Sequence, residues 1–137
     1  MKFKPLIAAA LLIQGCTSIH VKPVLSTANI QHVCIVNNPR VAVSDFISVL
    51  RDGFNRHGIA TTVVEQSQAQ ACDVTLTYVA FRRWDFAPYL TRAELRLWRD
   101  GKQIGSADYR HKGGFALNKW RGTRKKMDPV IDQLLGG

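Results

Sequence analysis

Apolar residues along this 137-residue chain switch between two periods, and the switches mark its elements. His32-Val33-Cys34-Ile35-Val36 is a short β-branched run stopped by Asn37-Asn38-Pro39, and it reads as a strand. Val43, Phe46, Ile47, Leu50 and Phe54 follow at i, i+3, i+4, i+7 and i+11, one face of an amphipathic helix. The spacing predicts a helix that begins by Val41 and ends at Gly58, where glycine takes a left-handed cap and Ile59 packs back. Ala60 to Glu65 returns to β character, so strand, helix and strand make a βαβ-like crossover.

The second half keeps a period of two. Over residues 73–83, Val74, Leu76, Tyr78 and Ala80 fall on one face and Thr75, Thr77, Val79 and Phe81 on the other. Over residues 89–99, Ala93, Leu95 and Leu97 oppose Arg92, Glu94, Arg96 and Trp98, a strand with one wet face. Asp100-Gly101 is a hairpin signal leading into Lys102–Arg110. Ile104 and Tyr109 fall out of phase there, and Gly105 suggests a bulge at the slip. Asp128 and Pro129 are expected as the N-cap and first residue of a short helix bearing Val130, Ile131, Leu134 and Leu135. The order β-α-β-β-β-β-α predicts an α+β sandwich: a mostly antiparallel sheet with two helices packed on one face.

The start of the chain has a different logic. Lys2 and Lys4 precede the apolar run Leu6 to Ile13, the layout of a removable secretory signal. That run is too short for a hydrocarbon core needing about 20 helical residues. Leu11-Leu12-Ile13-Gln14-Gly15-Cys16 looks like a bacterial lipobox; an ordinary signal cut near Gly15 is the plainer alternative. We therefore expect residues 1–15 to be a lipoprotein signal peptide, Cys16 to be lipidated, 16–30 to be a tether and 31–137 a single domain. Pro23 and Ser26 suit a polar, unpatterned tether. By resemblance to bacterial lipoproteins, the anchor is a diacylglyceryl group plus an amide-linked acyl chain. Several chains make it durable where one is marginal. The same resemblance implies, from the non-acidic Thr17, an outer-membrane address facing the periplasm.

With Cys16 committed to lipid, Cys34 and Cys72 remain as an even pair in an oxidising compartment. A disulfide is expected, closing a loop of about 39 residues worth about 4 kcal/mol in the chain-entropy model. Two buried thiols are the alternative. His20, His32, His57 and His111 show no ligand spacing near either cysteine, so neither metal nor cofactor is expected.

Several features together resemble an uncharacterised family of small proteobacterial outer-membrane lipoproteins. They are the lipobox, the strand-helix-strand opening, Trp84-Asp85 before paired strands, Asp100-Gly101, Ile104-Gly105, and the closing run from Asp128 to Leu135. The element order is also similar to the lipoprotein subunit of the lipopolysaccharide export machine and to the amino-terminal domain of TolB. These likenesses imply an architecture and carry no catalytic or ligand residue, since a fold does not confer a function.

Charge supplies the best clue to function. The formal net charge is +9, and removing Lys2 and Lys4 leaves +7. Residues 16–81 balance, whereas residues 82–126 hold thirteen basic and four acidic side chains. Arg92, Arg96, Lys112, Lys119, Arg121 and Arg124 are the candidates for an anionic ligand, because guanidinium forks match phosphate and carboxylate. A periplasmic address argues against nucleic acid, the usual partner of a basic patch with aromatics. Anionic lipid, lipopolysaccharide, peptidoglycan or an acidic protein fit that compartment, and a solvated basic face is the bland alternative.

No nucleophile elbow, zinc motif or phosphate loop is present. Asp85 is expected to cap a turn before Pro88, Trp84 to pack, and Asp108 lies on a strand near His111. The expectation is a non-catalytic, lipid-anchored envelope protein that binds an anionic component through a basic sheet face. The alternative is an interaction or regulatory module of a periplasmic machine, engaged by a sheet edge.

Overall fold

The computed structural model describes residues 17–111 and 120–136, so Cys16, Lys112 and Lys119 lie outside the described residues. Six strands and two helices follow in the order β1 (Thr17–Lys22), β2 (His32–Val36), α1 (Phe46–Arg56), β3 (Ala60–Val64), β4 (Val74–Asp85), β5 (Ala87–Arg99), β6 (Lys102–His111) and α2 (Thr123–Leu134). They build one sheet ordered β1-β6-β5-β4-β2-β3. The three pairings on the β1 side are antiparallel, and β4-β2 and β2-β3 are parallel. This is the expected α+β class, with the crossover through α1 placing β2 and β3 side by side.

The core lies between the sheet and the two helices. Val33, Ile35, Val74, Leu76, Leu95, Leu97 and Ala107 face it from the strands, all essentially inaccessible to water. Phe46, Val49, Leu50 and Phe54 of α1 and Met127, Val130, Ile131 and Leu134 of α2 close it. Each such side chain contributes about 1.5–3 kcal/mol by leaving water. Phe46 stacks on Tyr78 with ring centroids 5.5 Å apart.

The expected disulfide is present between Cys34 and Cys72, with Cα atoms 6.2 Å apart. Because Val33 and Ile35 face the core, Cys34 points to the other face of β2. The bridge there fixes the end of a 3₁₀ segment, Gln66–Ala71, whose start is held by reciprocal bonds between Glu65 and Gln68.

The ends of α1 differ in legibility. Its carboxyl end is the expected one: Gly58 takes φ +76°, its N–H donates to the Asn55 carbonyl and the Ile59 N–H to that of Phe54. Its start falls at Phe46 rather than Val41, because Val41 and Val43 belong to turns that lean on the core. The Asp100-Gly101 turn has positive φ at both residues, as a tight hairpin requires. The slip beside Gly105 is a bulge, with Leu97 opposite Gly105 and Trp98 opposite Gln103.

Two expectations are corrected. The segment read as part of a tether contains strand β1, zipped to β6 from Thr17 opposite His111 to Lys22 opposite Ser106. Ile19 and Val21 turn toward the core, so this strand is built into the fold. The closing helix begins at Thr123, not at Asp128, and runs through Pro129. Met127 and the stem of Lys126 bury on its first turns, and Pro129 sits on the exposed side.

Candidate functional site

One sheet face packs on the helices and the other carries charge. On that open face lie Arg92, Glu94 and Arg96 of β5, Asp108 and Arg110 of β6, and Ser18 and His20 of β1. Register sets Arg92 opposite Arg110 and Glu94 opposite Asp108, like charges facing like. Diagonal pairs relieve the centre. Arg96 reaches Asp108 at 2.9 Å and Glu94 at 3.4 Å, and Arg92 pairs with Glu94. Trp98 lies on the same face and donates from Nε1 to Thr77 Oγ1 at 2.9 Å.

The sequence candidates therefore do not form one patch. Arg92 and Arg96 share a face but lean on acids, so the middle of the sheet is largely compensated. Arg124 belongs to the helix layer, where it pairs with Asp52 of α1 at 2.8 Å. Arg121 is exposed in the turn before α2, and Lys112 and Lys119 lie outside the described residues.

A different cluster stands out at the end of the sheet. A cleft of about 440 Å³ is lined by Phe81, Arg82, Arg83, Tyr89, Thr91, Arg92, Arg110 and His111. Four arginines line it, Arg92 among them while its guanidinium pairs with Glu94, and no acidic residue is among the lining residues. The backbone makes this possible. A bulge between Phe81 and Arg82 leaves Thr91 without a direct partner, and its hydroxyl donates to the Phe81 carbonyl at 3.2 Å. The slip changes which side chains face outward and lets Arg82 and Arg83, adjacent in sequence, line the same cleft. Arg92 lies over the Phe81 ring, 5.7 Å from its centroid.

Beyond this bulge β4 and β5 continue as a hairpin turned by a single residue, Phe86, with Asp85 opposite Ala87. Phe86 is 88% exposed, Trp84 75% and Phe81 52%. Trp84, expected to pack, faces solvent instead. The stem is braced from α2: Lys126 donates to the Leu90 carbonyl at 3.1 Å and lies over the Tyr89 ring. Trp120 donates from Nε1 to the Asp85 carbonyl at 2.7 Å. Sequence reasoning passed over Arg82, Arg83 and Arg110; the signal was the run Phe81-Arg82-Arg83-Trp84-Asp85-Phe86, basic and aromatic residues interleaved.

A second cleft, about 430 Å³, opens where β2 ends, lined by Asn37, Asn38, Arg40, Gln66, Thr77, Glu94 and Arg96 among others. Its polar groups are committed to the fold. Asn38 donates to the Tyr78 carbonyl at 2.9 Å and accepts from the Arg40 N–H at 3.0 Å, and Glu94 offsets Arg96. Asp108 is likewise held by Arg96. Among the described residues no group of three His, Cys, Asp or Glu side chains is placed to hold a metal ion. No described helix is long and apolar enough to cross a membrane.

No protein-family model and no curated protein matches the sequence. Solved structures do share its fold. A PDZ domain protein from Parabacteroides distasonis aligns at TM-score 0.44 and 10% identity over 89% of this chain and 37% of that one, too loosely to carry weight. Two crystal forms of a PelC dodecamer from Paraburkholderia phytofirmans align at TM-scores of 0.55 and 0.56, with 14% and 15% identity. Each covers 82% of this chain and 98% of the other, so most of this chain is similar in fold to nearly the whole of a PelC protomer.

Proposed function

We propose that this protein is a non-catalytic, lipid-anchored envelope protein that holds an anionic envelope component in the cleft at the base of the β4-β5 hairpin. One observation carries the reading: Arg92 and Arg110 stand directly opposite each other beside Arg82 and Arg83, with no acid lining the cleft. Like charges opposite one another on a sheet cost up to about 1 kcal/mol. A bound phosphate or carboxylate reverses that sign, and guanidinium forks grip either group through paired N–H donors. The lipobox ending at Cys16 supports an envelope address. Of the sheet face named from sequence, Arg92 lines this cleft while also pairing with Glu94, and Arg96, held by Glu94 and Asp108, does not line it.

The test is a titration of the full-length protein in neutral detergent with inorganic pyrophosphate, followed through guanidinium NMR signals. Arg82, Arg83 and Arg110 signals should shift at sub-millimolar concentrations, and Arg82→Glu combined with Arg83→Glu should weaken binding at least tenfold. Unmoved guanidinium signals at millimolar pyrophosphate would refute the site.

A further inference from the structure

The end of the sheet that carries this cleft is also the end from which the amino terminus departs. Thr17 pairs with His111, and Arg110 pairs with Arg92. Thr17, the first described residue, therefore sits at the same end of the sheet as the base of the hairpin. From Arg92 to Ala87 the hairpin runs on by five residues, roughly 16 Å at strand rise.

We propose that this end docks on a bilayer surface, with Trp84 and Phe86 entering the interface of the leaflet that holds the acyl chains on Cys16, and Arg82 and Arg83 meeting its lipid phosphates. The inference deepens the anion-binding reading and rests on it for the partner of the arginines. Aromatic rings favour the headgroup level of a membrane, where an apolar body and a polar edge are both accommodated. Basic side chains within a Debye length of an anionic leaflet are attracted to it. The tip combines both features.

Its backbone supports the same reading. Phe86 occupies the turn at φ +65°, a left-handed conformation that glycine adopts with less strain than a bulky side chain. The ring so placed is 88% exposed, and Trp84 two residues before it is 75% exposed. A large apolar ring held outward in a strained turn, with a second exposed ring two residues away, is the shape a membrane-entering tip presents. The reach fits too. Headgroups occupy several ångströms on each side of a hydrocarbon core about 30 Å thick. A projection of roughly 16 Å crosses that layer.

The experiment reconstitutes the full, acylated protein in phosphatidylcholine vesicles, with and without 30% phosphatidylglycerol, and compares brominated with ordinary acyl chains. Brominated chains should quench the tryptophan emission. Trp84→Phe should lose at least half of the quenchable amplitude, and Trp98→Phe should keep it. Arg82→Glu with Arg83→Glu should reduce quenching at least twofold in anionic vesicles while leaving it unchanged in neutral ones. Quenching that is absent, or that persists in Trp84→Phe, overturns the docking, including the case in which a protein partner covers the tip instead. Pyrophosphate binding without quenching leaves the anion site standing and docking refuted. Quenching indifferent to the arginines and to phosphatidylglycerol refutes the anionic part alone.

Discussion

Burial favours the uncharged form of both Lys126 and Tyr109, and each shift leaves a mark on stability. Burial lowers the Lys126 ammonium to about 8 and raises the Tyr109 phenol to about 12. Between pH 8 and 10.5 the unfolded chain binds the lysine proton that the folded one releases, so stability rises with pH. From pH 10 toward 12 the folded chain keeps the tyrosine proton that the unfolded one loses, so stability falls. Urea unfolding across this range should show a maximum near pH 10; Lys126→Met should flatten the rising limb and Tyr109→Phe the falling one. At the acid end, hydrogen bonds from His57 and Arg56 hold the Asp132 carboxyl below its usual range, a contribution lost as pH drops through that lowered value. Gly53 gives a second test at this scale. A Cβ there would lie 2.7 Å from Ile131 Cδ1 and 3.0 Å from Cγ2, and Ile131 is fully buried. Gly53→Ala gains about 1 kcal/mol of helix propensity but overpacks the α1-α2 contact by about 1–3 kcal/mol. Chemical denaturation should show net destabilisation, with Ile131→Val restoring part of it by removing Cδ1.

Among the elements, those with one unambiguous period were legible in advance, and those decided by tertiary contact were not. The faces of β4 and β5 follow directly from Val74, Leu76, Tyr78, Ala80 and from Ala93, Leu95, Leu97, since a half-buried strand can satisfy only a period of two. Strand β1 carries the same alternation, Ile19 and Val21 against Ser18, His20 and Lys22. It is short, however, and its pairing with β6 is a long-range event that nothing nearby announces. Helix α2 misled because Asp128-Pro129 has the chemistry of a helix start. Packing of Met127 and Lys126 extends the helix backward, and the carbonyl left without a donor by Pro129 lies on the solvent side. The cleft was hidden for a related reason: a bulge regrouped Arg82 and Arg83 with Arg92 and Arg110, and bulges have weak sequence signals when no glycine marks them. The disulfide was foreseeable once the lipobox reading set Cys16 aside and placed the remaining pair in an oxidising compartment. Cys34→Ser with Cys72→Ser should lower unfolding free energy by about 4 kcal/mol. Amide exchange should rise first in the Gln66–Ala71 segment that the bridge fixes.

At the scale of the whole molecule, the ion pairs among the described residues divide mostly between the sheet centre and the helix layer. Arg56 bridges to Asp128 and Asp132 and Arg124 to Asp52, so these two arginines tack α1 to α2 rather than reaching for a partner. Arg82, Arg83 and Arg110 lie beside an aromatic tip. The β1-β6 pairing also has a mechanical meaning. Six residue pairs, from Thr17 opposite His111 to Lys22 opposite Ser106, lie along the line on which tension on the preceding chain would act. Pulled along the strand axis, their hydrogen bonds share the load together in shear, whereas a strand peeled from its side gives way one bond at a time. Strand β1 is thus a clamp, and force on the chain ahead of Thr17 would be borne by the sheet as a whole.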